Sequence, residues 1–235
     1  MSIVYIPGLL PDKDYSVKGV TDRISGYFSE EVTVVDYNPL ILSKSGKLNP
    51  YFSEDVKQLY SETVKGDVDV AWGHSTGGSI ITTIAKDLPP SEALVISSGA
   101  FDPIDPKQFV ENAILKKSGK LDYDIMDMTP EQAKVREKEF MGNLMTNPIA
   151  YYRLLLNSAK LARDAAGCVQ CPVLMLHGDK DILAKQSGAE KISKTFQNAK
   201  LIKYAGLQHH LLETRGAFDI LSDVAEFRDE VRKAR

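Results

Sequence analysis

Three short segments carry side chains that could act together on an acyl group. Gly73-His-Ser75-Thr-Gly77 is a G-x-S-x-G pentapeptide. An acidic turn, Gly178-Asp179-Lys-Asp181, comes second, and Gly206-Leu-Gln-His209-His210 comes third. A serine hydroxyl is a weak nucleophile at neutral pH unless a base takes its proton. Histidine is suited to take that proton and return it to a leaving group. A carboxylate fixes the imidazole tautomer and stabilises the imidazolium that forms. The chemistry on offer is attack by Ser75 on a carbonyl carbon. By itself the pentapeptide also fits an ordinary turn rich in small residues. An acid and a histidine following it in that order make the catalytic reading the stronger one. At this level the acid is Asp179 or Asp181, and the base is His209 or His210.

Such side chains need rigid elements to aim them. Val68–Trp72 reads as a buried strand before Ser75, and Gly77–Leu88 as a helix after it. Between them the chain must turn so sharply that the neighbours of Ser75 have to be small, which Gly73 and Gly77 provide. Gly78 lets the helix approach the strand closely. Around this unit apolar runs alternate with helical periods. Strands are expected at Ser2–Pro7, Val32–Tyr37, Ala93–Ser97, Pro172–His177 and Lys200–Tyr204. Helices are expected at Val17–Phe28, Phe52–Val64, Ser187–Phe196 and Ala217–Arg232. Strands of continuous apolar residues between helices predict a parallel sheet covered on both faces. The acid and histidine loops then leave the same sheet edge as Ser75.

From Phe101 to Gly167 the alternation stops. Three helical stretches are expected there: Pro106–Lys117, Pro130–Met145 and Pro148–Ala165. Thr129-Pro130 and Asn147-Pro148 are helix starts, a capping side chain followed by proline at the first helical position. The organisation predicted is a core of residues 1–100 and 168–235 with a helical cap, 101–167, inserted after the strand at 93–97. Such an insertion would roof the C-terminal sheet edge, where open α/β folds bind ligands. Phe101, Phe109, Met126, Met128, Phe140 and Met141 could line an acyl pocket. The apolar face of Tyr151–Ala162 reads first as packing against the sheet. Asp122, Asp124 and Asp127 read as a solvated loop.

Composition excludes several alternatives. The chain has 235 residues, 43% hydrophobic and 26% charged, with a formal net charge of −3. That is one large soluble domain able to bury its own core. With no basic run, nucleic acid is not an expected partner. No stretch approaches 18 apolar residues, so membrane insertion is not expected. Met1-Ser-Ile-Val-Tyr-Ile-Pro-Gly8 reads as a strand rather than a secretory leader. Cys168 and Cys171 form a lone C-x-x-C without the second pair a zinc site wants, and read as reduced thiols in a cytoplasmic protein. His74, His177, His209 and His210 are not read as a metal set, and no cofactor is expected. His74 and His177 read as structural histidines beneath the site.

The chain resembles the α/β-hydrolase superfamily, and within it the monoglyceride lipase and lysophospholipase group and the related capped carboxylesterases. The residues carrying the likeness are Ile6-Pro-Gly-Leu9, Gly73-His-Ser-Thr-Gly-Gly78, Pro172-Val-Leu-Met-Leu-His-Gly-Asp-Lys-Asp181 and Gly206-Leu-Gln-His209. The likeness covers nearly all of the chain outside the insertion. It implies Ser75 as nucleophile, Asp181 as acid by the count G-x-x-D from Gly178, and His209 as base by the count G-x-x-H from Gly206. Asp102, after the strand at 93–97, is where some members place their acid. The backbone N–H groups of Leu9 and Thr76 would form the oxyanion hole. The substrate implied is a small or medium carboxylic ester cleaved through an acyl-enzyme. Thioester, amide and carbon–carbon hydrolysis, perhydrolysis, and a slow-turnover ligand sensor remain open on the same triad. Pro7-Gly8 stands where the family often has His-Gly. The first strand matches the family's third, so six parallel strands are expected, with dimerisation one way to cover the exposed edge.

Overall fold

A computed structural model describes residues 2–9, 17–42, 47–50, 52–86, 93–102 and 146–234, with isolated positions from 129 to 142. Its centre is a six-stranded sheet: β1 (Ile3–Ile6), β2 (Val32–Val34), β3 (Val70–His74), β4 (Ala93–Ser97), β5 (Val173–Gly178) and β6 (Ala199–Tyr204). The spatial order is β2-β1-β3-β4-β5-β6 and every pairing is parallel. This is the all-parallel, six-stranded sheet expected above. The helices are α1 (Lys18–Phe28), α2 (Phe52–Thr63), α3 (Thr76–Ala85), α4 (Pro148–Ala166), α5 (Gln186–Ser193) and α6 (Ala217–Lys233).

Period-2 alternation divides each inner strand between two cores. Ile3, Tyr5, Val70, Trp72, Val95, Leu174 and Leu176 meet the buried faces of α1 and α6. Val4, Ile6, Ala71, Leu94, Ile96, Val173 and Met175 meet α2, α3, α4 and α5. Apolar side chains on both faces explain why these strands read as unbroken hydrophobic runs. The edge strands β2 and β6 are only partly buried. On β6, exposed Lys200 and Lys203 discourage pairing with another sheet.

Strand β2 is shorter than its β-branched run suggested. Val35 still donates to Tyr5, at 3.0 Å. Asp36 then captures both the backbone and side-chain nitrogens of Asn38, at 3.1 and 3.0 Å, and the chain turns into a short 3-10 helix at Asn38–Leu40.

The insertion's third expected helix is α4. Asn147 caps it by accepting from the Ala150 N–H at 3.2 Å, and Pro148 follows at the first turn. Its buried Tyr151, Leu154, Ala162 and Ala166 enter the core beside α3, against which α4 packs. The expected helices Pro106–Lys117 and Pro130–Met145, isolated positions apart, lie outside the described residues. So do Phe109, Met126, Met128, Phe140, Met141, Asp122, Asp124 and Asp127.

Candidate active site

The sheet order reverses between β1 and β3. From β1 the chain crosses to β2 on one side, and from β3 it continues to β4 on the other. Loops leaving the C-terminal ends of these neighbouring strands therefore diverge and open a crevice. The loop after β1 holds Gly8 and Leu9; the turn after β3 holds Ser75.

Ser75 sits at φ 53° and ψ −120°, outside the regions that non-glycine residues favour. Such a conformation costs about 1–3 kcal/mol and persists only when its surroundings enforce it. Here they do. The Ser75 N–H donates to the Ser97 carbonyl at 2.9 Å. The Ser75 carbonyl accepts from Gly78 at 3.0 Å and Ala100 at 3.1 Å. Side chains would prevent the turn from closing. A Cβ on Gly77 would lie 2.2 Å from the Ile6 carbonyl oxygen, and one on Gly73 would lie 2.5 Å from the Gly77 oxygen. A Cβ on Gly8 would stand 3.2 Å from the Ser75 Cβ, which puts the two loops side by side. Thr76 is buried at the start of α3, where backbone N–H groups have no acceptor within their own helix. Leu9 is half-buried against the core.

The acid turn and the histidine loop are clasped together. A Cβ on Gly178 would overlap the Leu207 carbonyl oxygen at 2.2 Å, and Lys180 donates to that oxygen at 3.0 Å. Asp179 Oδ1 accepts from the Gly206 N–H at 2.7 Å, where Gly206 has a φ of +78°. The Asp181 side chain is fully buried. Its Oδ1 accepts from the N–H groups of Leu183 and Ala184, both at 2.8 Å. Its Oδ2 lies 2.8 Å from His209 Nδ1. Because a carboxylate only accepts, His209 donates from Nδ1, and in the neutral ring Nε2 then holds the lone pair. Between the two aspartates, Asp181 meets the histidine and Asp179 holds the loop. Asp102 lies with Ser187 Oγ at 3.2 Å and Lys191 Nζ at 3.6 Å. His210 faces Glu213, with Nδ1 3.3 Å from Oε1.

His74 joins the two halves. Its ring centroid lies 5.0 Å from that of His209 and 5.7 Å from that of His210. Its Nδ1 is 3.2 Å from the Ser97 carbonyl, so the proton is on Nδ1. Ser97 Oγ in turn accepts from the Trp72 indole at 3.0 Å. Sequence reasoning missed Ser97; the buried Trp72, whose N–H needs an acceptor, was the available signal. Burial, reinforced by the neighbouring His209 and His210, holds His74 well below the ordinary imidazole range. Burial also lowers His177, whose Nε2 donates to the Ala184 carbonyl at 3.1 Å. For Asp181, burial alone would raise the pKa. The His209 charge and hydrogen bond, with the Ala184 N–H, outweigh it and hold the carboxyl below its usual range.

Among the described residues, no group of three or more His, Cys, Asp or Glu side chains is arranged to hold a metal ion. Cys168 is exposed and Cys171 is buried. No described helix is long and apolar enough to cross a membrane.

Residues 51–215 match the serine aminopeptidase, S33 family, and the chain belongs to it. A monoacylglycerol lipase of Mycolicibacterium smegmatis (strain ATCC 700084 / mc(2)155) is 26% identical over 170 residues, which make up 67% of this chain and 61% of that protein. The lip1 protein of Acinetobacter baumannii AYE superposes with a TM-score of 0.73 at 17% identity, covering 100% of this chain and 85% of the other. A soluble variant of the monoglyceride lipase of Saccharomyces cerevisiae superposes with a TM-score of 0.62 at 16% identity, covering 98% and 86%. The fold is that of the α/β-hydrolases.

Proposed function

We propose that the protein is a serine hydrolase that cleaves a carboxylic ester through an acyl-enzyme, with Ser75 as nucleophile, His209 as base and Asp181 as acid. The 2.8 Å contact between His209 and Asp181, on the sheet edge that carries the strained Ser75, is the observation that carries this reading.

In the first half-reaction, His209 Nε2 takes the Ser75 proton as Oγ attacks the ester carbonyl. Asp181 keeps the imidazole in the tautomer that can do so, and stabilises its cation. The Leu9 and Thr76 N–H groups receive the developing oxyanion, and each such donor contributes about 3 kcal/mol of transition-state stabilisation. The positive end of α3 adds to the same field. His209 then protonates the departing alcohol, and water repeats the sequence to release the acid. The names of the Mycolicibacterium and Saccharomyces relatives favour a glycerol monoester as substrate. A helical cap at 101–167 would supply the acyl pocket, and a cytoplasmic location suits Cys168 and Cys171 as reduced thiols. The family's description favours a second reading, amide hydrolysis on the same triad.

A fluorophosphonate probe should label Ser75, and the Ser75→Ala variant should be neither labelled nor active. Labelling at another serine would reject the assignment. Parallel rates on p-nitrophenyl acyl esters and on aminoacyl p-nitroanilides separate the ester reading from the amide reading.

A further inference from the structure

A second cavity lies away from Ser75. It has a volume of about 570 Å³ and is bounded by α2, α3, α4 and residues 48–50. That volume falls within the roughly 300–1,000 Å³ of small-molecule sites. It begins at Ile80, about 7 Å further along α3 than Ser75 at the helical rise. Its floor is apolar: Phe52 and Val56 from α2, Ile80 and Ile84 from α3, and Leu154 from α4. Ile80 and Ile84 are one turn apart and form a strip along the helix.

The polar lining divides into two groups. Asn49, Thr83 and Ser158 already donate to the protein: to Leu40 and Asp55, to Ser79, and to Leu154. Arg153, Asn157 and Lys160 line one wall at positions i, i+4 and i+7 of α4. Arg153 and Asn157 have no hydrogen-bond or ion-pair partner among the described residues. Lys160 has only Asp164 at 3.7 Å, both side chains being largely exposed, a pairing of little strength. No acidic residue is among the described residues that line the cavity. An apolar strip beside a row of unspent donors, two of them cationic, matches one kind of molecule: a linear chain ending in an anion that accepts several hydrogen bonds.

We propose that this groove binds a long-chain monocarboxylate, its chain along Ile80 and Ile84 and its carboxylate against Arg153, Asn157 and Lys160. The guanidinium fork suits the two carboxylate oxygens. The site is separate from the catalytic centre and does not depend on the activity proposed there.

The test is calorimetric titration of dodecanoate into protein whose Ser75 has been phosphonylated with a dodecyl fluorophosphonate, which fills the catalytic pocket. One site is expected. Affinity should fall about fourfold for each methylene removed from the acid, and dodecanol should bind at least about tenfold more weakly. Arg153→Glu should weaken dodecanoate at least about tenfold, and Asn157→Trp, which fills the groove from an exposed helix position, should abolish binding. Both variants should still hydrolyse p-nitrophenyl butyrate, which reports that they are folded. Absence of binding to the phosphonylated protein, or binding indifferent to Asn157→Trp, overturns the proposal. So does flotation with phosphatidylglycerol vesicles that requires Arg153 and Lys160 but survives Asn157→Trp, since the cations then serve a lipid surface. Failure of Ser75 to react would count against the catalytic reading alone. Titration of the unmodified chain with the same variants would still decide the groove.

Discussion

Asp179 and Asp181 stand two residues apart with different tasks, which mutation can separate. Asp181→Asn removes the charge that holds His209 in its working tautomer, and kcat should fall about 10⁴-fold. Asp179→Asn loosens a single turn contact to Gly206 and should cost no more than about tenfold. Steady-state rates on one p-nitrophenyl ester check both; the reverse ranking would reassign the acid. At Gly77 a single methyl suffices. A Cβ there meets backbone oxygens of Ile6 and Pro7 at 2.2 and 2.3 Å, and neither can swing aside. Gly77→Ala should therefore destroy the turn, with loss of fluorophosphonate labelling and a lowered Tm. Ser75, Asp181 and His209 stood out in the sequence as the candidate triad because chemistry restricts which residue types can do each task. Ser97 and the clasp at Gly206 were harder to read, because the His74 ring is held by the Ser97 backbone carbonyl and Asp179 grips a backbone N–H, and a backbone group leaves no mark on the identity of the residue that carries it.

Helix α4 shows how much of an element its ends reveal. Asn147 and Pro148 announced its start, and the structure places the cap where those residue types predict. Asn147→Ala should cost about 1 kcal/mol, read as a lower urea midpoint with an unchanged slope. Its surroundings were less legible. A helical period says that one face is apolar but not what that face meets, and α4 lies against α3 as a covering layer. Strand β2 differs for a similar reason. Its β-branched run favours extension, yet Asp36 offers Asn38 two hydrogen bonds that the sheet cannot match. Long, doubly buried strands such as β3 and β5 were easily read, because both faces demand apolar residues and leave little latitude.

Across the whole molecule, buried histidines make stability depend on pH. His74 and His177 are held below their ordinary value of 6.5 by burial, so the unfolded chain binds protons there before the folded one does. Their contribution is complete above about pH 6.5 and is lost as pH falls through the folded values. The slope is at most about 1.4 kcal/mol per pH unit for each group. Asp181 acts in the same direction at lower pH, from its ordinary 3.8 downward. Urea midpoints should therefore decline from pH 7.5 to 5.5, and less steeply in His177→Gln; a rise would show that these imidazoles are charged when folded.

The two grips of the acid turn on the histidine loop also make it a ruler. Gly206 and Leu207 are held by Asp179 and Lys180, and His209 by Asp181. Only Gln208 spans the interval, so the loop is measured at both ends. An extra glycine between Gln208 and His209 would leave the first grip closed and put the second out of step. Tyr204 is gripped as well, its carbonyl accepting from the Asp179 N–H at 3.1 Å, so the same count is fixed from the end of β6 to His209. A change of length anywhere in that stretch is therefore felt at the imidazole.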